Sequence, residues 1–181
     1  MLIDLTTNVP IKSPLLEKAK DFAAAGHIGT HLDTYEKTPI PLDYFRSAGV
    51  VFDVRGKEEV QLEDIDFHCI PKQSFVLFRT GRIEEHPYGS DGYGKDHPQL
   101  SHELIGKLIE KQIRFIGVDC QGIRRHEEHT PADILCEKHG VYVIENLQHL
   151  GELPEQSFTV YTMWLDDPDL TGLRCRVIAE I

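Results

Sequence analysis

Several chemistries are missing from this sequence. None of its four cysteines, Cys69, Cys120, Cys136 and Cys175, falls in a CxxC pair, which argues against a zinc ribbon or a thioredoxin motif. A Gly-rich phosphate loop and a GxSxG nucleophile turn are both lacking. Positive charge is scarce: 19 Lys and Arg against 30 Asp and Glu leave a net charge of −11. That disfavours a nucleic-acid or anionic-membrane partner. No apolar run is long enough to span a bilayer. Met1-Leu2-Ile3-Asp4-Leu5 has no basic region ahead of a long apolar one, so the expectation is a cytoplasmic protein with reduced, mostly buried thiols. Internal repeats and low-complexity segments are also lacking.

What is present suits one domain, 1–181, with an ordinary 40% apolar content and enough length to bury a substantial core. Leu2 to Leu5 predicts an opening strand. Ser13-Pro14 announces a helix with an apolar spacing through Leu15, Leu16, Ala19, Phe22 and Ala23, stopped by Gly26. Residues 34–41 read as irregular around Pro39 and Pro41. A short helix is expected over 42–48, a buried strand over 50–54, a short extended piece over 65–70 and a strand over 74–79. A charged loop fills 85–99. The clearest helix is 101–112, with Leu104, Ile105, Leu108 and Ile109 in one stripe. Strand 113–118, a helix from Thr130-Pro131 to about His139, strand 141–144 and two closing strands, 158–165 and 173–179, follow. Strand and helix alternate in the later half, which argues an α/β domain.

The chain's most informative stretch is Gly26-His27-Ile28-Gly29-Thr30-His31-Leu32-Asp33. In an extended strand His27, Gly29, His31 and Asp33 share one face. Imidazole nitrogen with carboxylate oxygen suits a divalent ion such as zinc or manganese. A straight strand would put the two histidine Cα atoms roughly 13 Å apart. Either the chain bends at Gly29 or the ligands serve two ions. A polar loop with two ordinary histidines is the plainer alternative. Further donors lie downstream. Glu145 ends the apolar run 141–144, and Asp119 ends 116–118. Carboxylates at such strand ends are frequent functional groups, although exposed strand-end charge is commoner. His126, Glu127, Glu128, His129 and Asp133 cluster in one segment. Most of it reads as a solvated loop, with Asp133 satisfying the amides of its own helix start.

Taken together, these blocks resemble the cyclase-type metal-dependent hydrolases, best known from bacterial kynurenine formamidases. The HxGTHxD run at 27–33 is the signature. Val76 to Gly81, His97-Pro98-Gln99-Leu100-Ser101, Phe115 to Asp119, Gly140 to Leu147 and Leu173 to Ala179 follow in the family's order. The resemblance implies a swivelling β/β/α-type single α/β domain with a mixed or barrel-like β core flanked by helices. It implies a homodimer or homotetramer, and a mono- or dinuclear zinc or manganese centre held by His27, His31, Asp33 and Glu145. Two positions depart from the pattern. The family's usual DxPxH histidine has no counterpart in 34–43, and its later ligand histidine is replaced by Asp133, which as a carboxylate can still serve as a metal ligand, with His129 one helical turn earlier as an alternative imidazole.

The expected reaction is hydrolysis of a small N-formyl or cyclic amide, arylformamidase-like, as in tryptophan catabolism. The ion would activate water for attack on the carbonyl. With the usual histidine absent, His129 is the expected general acid, with Asp133 and Lys37 as rivals. A non-catalytic metal- or ligand-binding member of the same fold is the alternative.

Overall fold

The computed structural model describes residues 1–181. Its ten strands are β1 (Leu2–Asp4), β2 (His31–Asp33), β3 (Arg46–Asp53), β4 (Glu59–Val60), β5 (Ser74–Arg79), β6 (Gln99–Leu100), β7 (Phe115–Val118), β8 (Tyr142–Glu145), β9 (Phe158–Trp164) and β10 (Gly172–Glu180). The α-helices are α1 (Pro14–Lys18), α2 (Lys20–Ala24), α3 (Arg82–Glu85), α4 (His102–Glu110) and α5 (His129–Lys138). The main sheet runs β1-β10-β2-β8-β7-β5-β3-β9, and β9 pairs with β10 as well. That last pairing closes seven strands into a barrel, with β1 alongside β10. Strands β3, β5, β7 and β8 are parallel, β2 and β9 flank them antiparallel, and β10 closes the ring antiparallel to both β2 and β9. The chain is therefore a mixed α/β domain with a barrel-like β core.

Side-chain alternation along the strands divides the core into two halves. Phe75, Leu77, Phe115, Tyr142 and Ile144 point into the barrel, with Leu32, Val160, Trp164 and Val177. Val76, Phe78, Ile116, Val118 and Val143 point outward, against Leu104, Ile105 and Leu108 of α4 and Ala132 and Cys136 of α5. Both faces of the parallel strands are covered, which explains their near-continuous apolar runs. Each buried leucine or isoleucine of α4 contributes about 2 kcal/mol, and the Ser101 hydroxyl caps that helix by accepting from Leu104 N at 3.2 Å.

Four local expectations give way to other structure. Over 42–48 only Leu42–Phe45 turns, as a 3₁₀ helix, and β3 begins at Arg46. Gly49 is a strand residue: a Cβ there would stand 2.4 Å from the Phe158 ring. Over 65–70, Asp66 accepts from His68 N at 3.1 Å and nucleates a 3₁₀ turn, Phe67–Cys69, in place of an extended piece. The first helix breaks at Ala19 into α1 and α2, which bury no residue. Finally, α5 starts at His129, so Thr130 sits inside the helix and does not cap it.

The cysteines are free, with Cys120, Cys136 and Cys175 buried and Cys69 exposed. No helix is long and apolar enough to cross a membrane.

Candidate metal centre

The chain turns sharply ahead of β2. Gly26 and Gly29 take φ values of +91° and +62°, and a Cβ at Gly29 would lie 2.4 Å from the Thr7 carbonyl oxygen. This is conformational ground that L side chains rarely occupy. His27 therefore lies outside the strand, and the bend brings its Nδ1 to 3.1 Å from Nε2 of His31 and 3.0 Å from Oδ1 of Asp33. The shared strand face holds only for His31 and Asp33; His27 reaches them through the turn.

Strand alternation explains where these side chains point. Leu32 enters the barrel, so His31 and Asp33 face outward, beneath α5. The β2–β8 ladder places His31 directly opposite Glu145, with Nε2 3.5 Å from Oε2. On α5, His129 and Asp133 stand one turn apart on the same face. His129 Nε2 lies 3.3 Å from Asp133 Oδ2 and 3.4 Å from Glu145 Oε1. Two donor groups result: His27, His31 and Asp33; and Asp33, His129, Asp133 and Glu145. Asp33 belongs to both.

The donor chemistry fits a divalent cation. His31 Nδ1 lies 2.9 Å from the Gly29 carbonyl, which can only accept, so Nδ1 carries the hydrogen. The Nε2 lone pair then points at Asp33 and Glu145. Both oxygens of Asp33 and of Asp133, and Oε1 of Glu145, are buried without a hydrogen bond. Three buried carboxylates left in this way are costly without positive charge among them. Burial first, then the neighbouring carboxylates, pushes Glu145 and Asp133 well above the usual acid range. Asp33 moves the other way: burial opposes ionisation, but His31 and His27 outweigh it. His31 is raised, the Asp33 charge overcoming its burial, and burial lowers His129.

Asp133 thus makes no hydrogen bond to the amides of its helix and faces the cluster. Asp119 is buried rather than exposed, and it accepts from Thr80 N, Thr80 Oγ1 and Gly81 N at 2.6–2.9 Å. Its role is to pin the end of β5. His126, Glu127 and Glu128 are exposed, as a solvated loop would be. Lys37 is exposed and bonds the Pro168 carbonyl.

Several supports escaped the sequence reading. Thr171 Oγ1 lies 2.9 Å from His27 Nε2. Asn146, at φ +59°, donates to the Gly29 carbonyl at 3.0 Å and accepts from Tyr93 Oη at 2.7 Å. Tyr35 stacks on His27, with centroids 5.6 Å apart. Gly122, at φ +103°, leaves room for the His129 ring, which a Cβ would approach to 2.4 Å. Only Tyr35, two residues after Asp33, carried a positional hint.

A cavity of about 870 Å³ opens over the cluster, bounded by Phe22, Tyr35, Tyr88, His97 and His129. A second hollow, near Met1, Arg46 and Ile181, is lined by neither histidine nor cysteine.

Comparison with solved structures agrees with this architecture. A potential metal-dependent hydrolase with cyclase activity matches over 99% of this chain and 96% of its own, at 21% identity and a TM-score of 0.78. Isatin hydrolase A from Labrenzia aggregata, bound to benzyl benzoate, matches over 99% and 93%, at 21% identity and a TM-score of 0.79. Isatin hydrolase A from Ralstonia solanacearum matches over 99% and 91%, at 17% identity and a TM-score of 0.77. No curated protein matches the sequence significantly. The family model described as putative cyclase matches residues 3–125, more than half of the chain, and with the closed barrel and the HxGTHxD bend in place the chain belongs to that cyclase family.

Proposed function

We propose that this protein is a metal-dependent hydrolase of a small N-formyl or cyclic amide, with arylformamidase-like cleavage as the specific expectation. One observation carries the reading: the buried carboxylates of Asp33, Asp133 and Glu145, with no hydrogen bond to satisfy them, converge with His27, His31 and His129, and Glu145 and those three histidines line a ligand-sized cavity. The hydrolases among the structural relatives support it. His27, His31 and Asp33 would hold one ion. Asp33, Asp133 and Glu145, with the His129 imidazole beside them, would hold a second. The mixed nitrogen and oxygen donors favour zinc, with manganese next. A bound ion supplies a polarised carbonyl and an acidified water.

The chain's own residues do the rest. Asp33 links the two donor groups and fixes their separation. Thr171 and the Gly29 carbonyl orient the His27 and His31 rings, as outer partners of ligand histidines commonly do. Hydrolysis joins a water oxygen to the carbonyl carbon, breaks the C–N bond and gives a proton to the leaving nitrogen. His129, between Asp133 and Glu145 and partly open to the cavity, delivers that proton. Lys37, tied to Pro168, is set aside as the acid.

Metal analysis of wild type, His27→Ala and Asp33→Ala tests the centre; undiminished metal in both variants would overturn it. Turnover by the loaded protein on N-formylkynurenine and simple cyclic imides tests the reaction. The absent histidine in 34–43 is the one feature behind the binding-only alternative, and a stably bound ion without turnover on any of these amides would establish it.

A further inference from the structure

Besides His27, His31 and His129, the cavity wall carries a further largely buried histidine that belongs to neither donor group. His97 is 4% exposed and lines the cavity together with His27, His129 and Glu145. Its Nδ1 lies 2.8 Å from the Pro98 carbonyl oxygen. A carbonyl only accepts, so Nδ1 carries the hydrogen and Nε2 keeps the lone pair. Burial lowers the ring to about 4; Pro98 opposes this, while His129, Arg125 and Arg82 add to it. The ring is therefore neutral at pH 7. Nε2 makes no hydrogen bond within the protein, yet it is not among the atoms sealed from solvent. The residue that carries it lines the cavity.

Several neighbouring polar groups on that wall already have partners. Tyr88 Oη accepts from Gly29 N at 2.8 Å. The Asn146 amide is used by Tyr93 and Gly29, and Thr171 by His27. His97 Nε2 is thus an acceptor on a largely buried ring, held in one orientation, with no donor inside the protein.

We infer that His97 is a specificity-determining residue whose Nε2 accepts the N–H of the substrate amide, so the site selects amides that carry N–H over their N-alkylated counterparts. The inference rests on the amide-hydrolase reading for its choice of donor. A site built around a buried acceptor rejects a ligand that leaves it unpaired, because desolvation is then uncompensated. His97 touches the substrate without entering bond-making, so its loss acts on KM and on discrimination more than on kcat.

The test uses metal-loaded wild type, His97→Leu and His97→Gln with two probes, succinimide and N-methylsuccinimide. Leucine keeps comparable volume without an acceptor, and glutamine restores one. KM and kcat are measured where turnover occurs, and calorimetric Kd in every case. Wild type is expected to favour succinimide roughly tenfold or more in KM and Kd. In His97→Leu the preference falls to within about twofold, with kcat little changed, and His97→Gln regains part of it. An unchanged preference in His97→Leu overturns the inference, as does equal binding, or no binding, of the two imides by wild type. If no amide is turned over but the calorimetric preference exists and collapses in His97→Leu, the hydrolase reading fails and the role of His97 stands.

Discussion

His31 and Glu145 are register partners across the β2–β8 ladder, with Nε2 and Oε2 3.5 Å apart, although 114 positions separate them in sequence (145 less 31). Glu145 has Asp33 and Asp133 as its other charged neighbours, and burial together with those two acids disfavours its ionised form. Without metal, then, its carboxyl works against the fold. The folded-state value lies above the unfolded one, so stability falls as pH rises past the unfolded acid range. Glu145→Gln is expected to stabilise the metal-free protein by about 1–3 kcal/mol. The same change removes a ligand of the second ion only, so zinc or manganese raises Tm by less than in wild type, through the ion at His27, His31 and Asp33. Wild type should gain on the order of 10 °C from an ion well above its Kd. Thermal melts with chelator and with metal check both signs together.

His97 makes acid stability legible. Its folded value of about 4 lies below the ordinary imidazole range near 6.5. The unfolded chain therefore takes up a proton that the folded chain refuses between about pH 6.5 and 4. Stability from this group is complete above pH 6.5 and is lost as pH falls through the window, by at most about 3 kcal/mol. Urea unfolding of metal-free wild type and His97→Gln across pH 4 to 7 should show a shallower slope for the variant. Parallel slopes would remove His97 as the source.

Local signals in the sequence were sufficient wherever the contact is local or the pattern long. Ser101 caps α4, the stripe at 104–108 packs on the sheet, and the runs at 74–79 and 141–144 become central strands. The bend was legible as one of two options, because Gly29 sits between histidines that a straight strand would hold apart. For Asp133 the bland helix-start reading fails for a physical reason: a carboxylate near a helix start normally meets its own amides, and here helix α5 begins at His129 and turns Asp133 into the donor cluster. Arg46 to Gly49 misled because pairing with β5 and β9, remote in sequence, outweighs a local helical pattern. Thr171 and Asn146 carry no spacing signal at all; only the closed barrel brings them beside the histidines.

Glu137, on the same helix as Asp133, is buried and holds the segment that follows Asp33. Its carboxylate accepts from Thr34 Oγ1, Glu36 N, Thr38 N and Thr38 Oγ1 at 2.8–3.1 Å. That segment carries Tyr35 over His27. Glu137→Ala leaves these donors without an acceptor, at a cost of about 2–4 kcal/mol after partial rehydration. The segment then opens locally at far lower free energy than the whole domain. Trypsin cleavage after Lys37 should accelerate tenfold or more in Glu137→Ala, with Glu137→Gln between it and wild type. Equal cleavage rates would show that other contacts hold the segment.

Gly122 separates seating the His129 ring from folding the barrel. At φ +103° an alanine is strained, and its Cβ would lie 2.4 Å from His129 Nδ1. The strain costs about 1–3 kcal/mol, which a 181-residue domain with two well-filled cores tolerates. The ring cannot stay in place, however, because the clash falls on its own atoms, and α5 fixes the backbone that carries it. Gly122→Ala should therefore melt only a few degrees lower and retain the ion held by His27, His31 and Asp33. Its kcat should drop at least tenfold, because a displaced general acid forfeits much of the 10²–10⁴-fold that such catalysis contributes. Metal content, Tm and kcat measured on one preparation decide the point: if all three fall together, the clash unsettles the barrel and not the ring alone, and if kcat holds while Tm falls, His129 is not the proton donor.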